Sequence, residues 1–131
     1  MNASSHKLAA ALATRIGVAL PYPLTARAEG SSVTLYVDQN VIGGSAAAAI
    51  IKDPGSGELG ERAQTAVRAM LSGILDCVSE YLTVPWPTEV DGEMAISGAR
   101  ADAHRLHLWY GRSETDPVFS FAPIEIGDLN A

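Results

Sequence analysis

Gly55-Ser-Gly57-Glu-Leu-Gly60 has the spacing G-x-G-x-x-G and stands just ahead of a helical pattern. In a nucleotide-binding protein such glycines bring the backbone close to a pyrophosphate at a helix N-terminus. That use also needs a parallel strand-helix-strand frame and an acid about twenty residues further on to hold the ribose. Asp76 and Glu80 stand at about that distance but fall inside the helix itself, and Pro54 intrudes on the approach. A plain loop is therefore the expectation for Asp53-Pro54-Gly55-Ser56-Gly57, a run of turn-forming residues.

His104 and His107 invite an acid–base or metal reading. Residues three apart in a strand point to opposite faces, so the two imidazoles should not converge on one ion. No cysteine–histidine spacing suits zinc, and no metal or cofactor is expected. Leu106, Leu108 and Tyr110 fall on the face of His104 and look like core, whereas Arg105, His107 and Trp109 fall on the other. A tryptophan beside arginine and histidine is the kind of amphipathic patch enriched at interfaces. The competing expectation is that the first helix or a neighbouring strand covers that face.

Cys77 has Gly73, Ile74, Glu80 and Tyr81 as its neighbours one helical turn away, and none is a cation that would activate the thiol. Asp91, Glu93, Glu114, Asp116, Glu125 and Asp128 supply carboxylates at turns and strand ends, where solvated acids are ordinary, and no G-x-S-x-G elbow is present. Trp86 sits between Pro85 and Pro87 in a stiff segment and can either plug the end of the core or project as an anchor for a partner.

These residues need a frame. Leu8, Leu12, Ile16 and Leu20 recur on one helical face, starting after Ser4 or Ser5 and stopping before Pro21. Val33, Leu35 and Val37 alternate with Thr34, Tyr36 and Asp38 as in a half-buried strand. Residues 41–52 are ambiguous between strand and helix, with a second strand paired to the first as the preferred reading. From Glu58 to Leu82 apolar residues recur at steps of three and four, defining a long central helix in which Gly73 marks a close backbone approach. Strand-like segments follow at Glu93–Arg100, His104–Arg112 and Val118–Ile126. The order α-β-β-α-β-β-β predicts one α+β domain over residues 1–131, a two-layer fold with about five antiparallel strands and helices on one face.

Composition narrows the partners. A net charge of −6, with nine basic residues scattered through the chain, lacks the basic stripe that nucleic acid demands and disfavours an anionic membrane surface. A single cysteine fits a reducing, cytoplasmic setting, and the spacing of Leu8, Leu12, Ile16 and Leu20, with Arg15 among them, argues against a signal peptide. The element order and the hairpin Glu93–Tyr110 resemble the acidic type III secretion chaperones, and the same order resembles phage tail-terminator and neck proteins. Both resemblances imply a protein that works by contact with other chains or with itself. The expectation is a non-catalytic, homo-oligomeric interaction protein using Arg105, His107, Trp109 and Trp86. The alternative is a small-molecule-binding protein or small enzyme, its pocket between the central helix and the sheet and lined by His104, Tyr110, Arg112 and Glu114.

Overall fold

The computed structural model describes residues 3–46, 59–84, 86–87 and 95–129. Helix α1 spans Ala3–Ala19. Leu8, Leu12 and Ile16 are fully buried along one of its faces. It begins earlier than the serines suggest, so Ser5 lies within the helix and is itself buried rather than capping the end. The last turn closes by a bond from Leu20 N to Ile16 O, and Pro21 follows.

Strands β1 (Leu24–Glu29), β2 (Ser32–Val37) and β3 (Asn40–Ala46) form an antiparallel meander in that order. Gly30 turns between the first pair at φ 63° and Asp38 between the second at φ 58°, a left-handed conformation that glycine adopts freely and aspartate tolerates. Residues 41–46 are strand, as preferred from the sequence; residues 47–52 lie outside the described residues. Helix α2 follows at Leu59–Leu82.

The second sheet has β4 (Ile96–Ala101), β5 (Arg105–Ser113) and β6 (Asp116–Ser120) in sequence order, with the short β7 (Ile124–Glu125) pairing on β5 beyond β6. A 3-10 turn at Ile126–Leu129 ends the described chain. The fold is α+β with order α-β-β-β-α-β-β-β. It differs from expectation in having two sheets, of three and four strands, where about five strands were expected in one. The additional strands are β1 and the separate pieces β6 and β7, which sequence patterning merged into one.

The two sheets share one apolar cluster. It includes Leu12 and Ile16 of α1, Val33 and Leu35 of β2, Met70, Leu71 and Ile74 of α2, and Leu106, Leu108 and Tyr110 of β5. Burying each large side chain contributes roughly 1.5–3 kcal/mol, so this cluster is the main source of cohesion. Helix α2 joins the sheets through contrasting contacts. Against β3 the approach is close, because a Cβ on Gly73 would fall 2.7 Å from Ser45 Oγ and one on Gly43 would overlap Cys77 Sγ. Against β4 the contact is polar. Ala101 N donates to Gln64 Oε1 at 2.7 Å, Arg68 donates to Ala99 O at 3.0 Å, and Ser97 Oγ donates to Arg68 O at 3.2 Å. Side chains one helical turn apart thus satisfy the outer edge of β4, which would otherwise offer unpaired backbone groups.

Candidate interaction surfaces

The outer face of the second sheet carries the residues expected to form a patch. Gly98 pairs with Trp109 across β4 and β5, and Arg100 pairs with His107. The Trp109 ring lies against Gly98 so closely that a Cβ at that position would overlap its five-membered and six-membered rings. Trp109 is half-buried in consequence, while Ile96 on the same face is 62% exposed. The charged members are paired: Arg105 Nε meets Glu125 at 2.8 Å, and Arg100 binds both oxygens of Glu114 at 2.6 and 2.8 Å.

Asp102 organises the turn between β4 and β5. Its Oδ2 lies 2.8 Å from His107 Nε2, and its Oδ1 accepts from the backbone N–H of His104 at 2.8 Å and of Arg105 at 2.7 Å. The His107 contact, helped by those two amides, holds the Asp102 carboxyl well below the usual carboxylate range. Arg100 lowers the pKa of Glu114 in the same way, and Glu114 raises that of Arg100. These pairs are solvent-exposed, so they orient side chains more than they stabilise the fold.

The expected pocket residues do not converge. Tyr110 is fully buried and its hydroxyl donates to Leu71 O at 2.6 Å, so it fills the space between α2 and the sheet. Burial raises the pKa of this phenol strongly, with Asp76 adding to the effect. Strand alternation puts His104 on the face of Tyr110, but β5 starts only at Arg105. His104 is exposed in the Asp102 turn. Arg112 is exposed near the far end of β5, and Glu114 is taken up by Arg100.

Trp86 is half-buried and packs edge-on against Tyr110, with ring centroids 5.6 Å apart, and at a tilt against Phe119 at 5.8 Å. Ser79 Oγ accepts from Trp86 N at 2.9 Å and donates to Trp86 O at 3.0 Å. Both contacts turn Trp86 inward as a plug on the core, not outward as an anchor. Cys77 donates to Ile42 O at 3.5 Å; burial, with Glu80 adding to it, pushes the thiol pKa up and away from nucleophilic use.

Two grooves were not anticipated. One, of about 610 Å³, runs between the end of α1 and β6, where Val18 is 88% exposed beside Phe119 and Phe121. The alternation of Phe119 and Phe121 across Ser120 was its signal in the sequence. The other, of about 560 Å³, lies between β3 and the outer side of α2 and includes Asp76, Glu80 and Tyr81. Among the described residues no cluster of histidine, cysteine and carboxylate groups could hold a metal ion. Residues 55–58 of the glycine motif lie outside the described residues. No described helix is long and apolar enough to cross a membrane. The chain matches no family model, and no curated protein or solved structure is significantly similar to it.

Proposed function

We propose that this chain is a non-catalytic interaction protein that assembles with a second copy of itself through the outer face of the second sheet. The observation that carries this reading is the contrast across that sheet. On the inner face Tyr110 closes the core and spends its hydroxyl on Leu71 O. On the outer face Ile96 is exposed and Trp109 is half-buried beside the Arg105 and His107 pairs. An apolar centre inside a rim of paired polar groups is the arrangement of a protein interface, and tryptophan and arginine are the residues that contribute most at such centres. The reading places the protein in the cytoplasm, where Cys77 stays reduced, and gives it protein rather than nucleic-acid partners.

Light scattering on the intact chain tests the proposal. The native protein should have the mass of an oligomer, and Ile96→Asp combined with Trp109→Ala should return it to monomer while leaving its circular dichroism intact. A native chain that is monomeric throughout the accessible concentration range would exclude self-assembly.

A further inference from the structure

Strand β3 ends the first sheet, so among the described residues one of its edges has no partner strand. It also runs antiparallel along α2 in a matched register. Gly43 meets Cys77, and Ser45, two residues further on, meets Gly73, four residues back. Two strand residues advance about 6.7 Å and four helix residues about 6 Å, so the repeats keep step. A strand added at the open edge of β3 would run beside α2 with the same repeat. The next helical row on that side is Asp76 and Glu80, turned away from the buried row Met70, Ile74 and Val78. The groove between them holds about 560 Å³ and is bounded by Ile42 on the strand and Tyr81 on the helix. Tyr81 is 43% exposed, and neighbouring Val41 is 61% exposed. Neither Asp76 nor Glu80 joins an ion pair among the described residues.

We infer that the open edge of β3 takes an extended segment of a partner protein as an added strand, with two basic side chains two residues apart reaching Asp76 and Glu80. Backbone bonds to β3 supply the common part of the affinity, and side-chain alternation supplies the selection. Apolar residues between the basic ones would turn away from the acids, as the period of a strand requires. The inference rests on the reading of this chain as a docking protein, but it uses a different face from the one proposed for self-assembly.

A fluorescent, acetylated and amidated six-residue peptide alternating lysine and valine is the probe, with an alternating glutamate and valine peptide as its control. Anisotropy should show binding of the lysine peptide alone, weakening as salt rises because the charges face solvent. Asp76→Asn with Glu80→Gln should weaken it roughly threefold to thirtyfold, the range that two exposed ion pairs can supply. Hydrogen exchange should place the new protection at Ile42–Gly44. Equal binding of both peptides, unchanged binding by the double variant, or protection confined to β5 would each overturn the inference. An oligomer that ignores the lysine peptide overturns this site alone, and a monomer that binds it overturns self-assembly alone.

Discussion

At the scale of single residues the most constrained contact is Gly98 under Trp109. Glycine in a strand interior costs conformational entropy and packs nothing of its own, so its presence needs a reason. Here the missing Cβ is the space the indole occupies. An aromatic side chain laid across a cross-strand glycine restores the packing that glycine lacks. Gly98→Ala must displace the ring, because Arg68 and Gln64 of α2 bond the backbone of Ala99 and Ala101 on β4 and hold that strand in register. The expected cost is about 1–3 kcal/mol, the usual penalty for overpacking. Urea titration should show the loss, and Trp109 fluorescence should shift to the red as the ring enters water. Trp109→Ala would lose stability by itself, but adding Gly98→Ala to it should cost little, since the clash is gone. A full additional loss in the double variant would show that Gly98 is required for a reason other than Trp109.

At the scale of elements, the β4–β5 hairpin depends on Asp102. Its pKa in the folded chain lies below that of the unfolded chain, about 3.9 for an ordinary aspartate. A group depressed in this way stabilises the fold fully above the unfolded value, and the contribution is lost as pH falls through the folded one. Asp102→Asn should therefore be less stable than the native chain at neutral pH, with the difference shrinking as the pH drops below about 4. Asp102 is one of the charges acting on Glu114, so the comparison is made in a Glu114→Gln background, where the difference between the urea midpoints isolates Asp102. A difference that stays constant down to strong acid would contradict the assigned contacts. The strand residues of this hairpin were legible beforehand, since Leu106, Leu108 and Tyr110 alternate with Arg105, His107 and Trp109. The short polar turn around Ala101-Asp102 was legible too, but its extent was not: His104 lies in the turn rather than in the strand, because an aspartate accepting two backbone N–H groups leaves no hydrophobic trace. Strand β1 was hidden for another reason: Leu24-Thr-Ala-Arg-Ala-Glu29 puts small alanines where an inward face should be large, and only Leu24 is buried. Strand β6 starts two residues before the expected Val118, because Pro117 weakens a strand signal yet is tolerated on an edge.

At the scale of the whole molecule, the sequence announced α2 by its stripe but not the division of labour along it. Periodicity shows which side of a helix is apolar; it does not show that one flank meets a first sheet by glycine and another meets a second sheet by Gln64 and Arg68. That is why one sheet was expected where two are found, and why the groove beside Asp76 and Glu80 was invisible. The joint at Gly73 is the place to test whether the sheets act as one body. Valine there recovers some helix propensity relative to glycine, but its Cβ would lie 2.7 Å from Ser45 Oγ and 3.1 Å from Ser45 Cβ. The clash outweighs the gain, because overpacking costs about 1–3 kcal/mol and the propensity gain is less than 1. For a chain of this size the loss should lower Tm by roughly 3–15 °C. Since both sheets contribute to a single apolar cluster, Gly73→Val should shift one cooperative transition rather than split it. Ser45→Gly placed beside the valine should recover part of the loss, as residues in contact do when one is cut back to make room for the other. Two separate transitions in the native chain, or a Ser45→Gly effect that merely adds to that of Gly73→Val, would show that α2 does not couple the sheets through this contact.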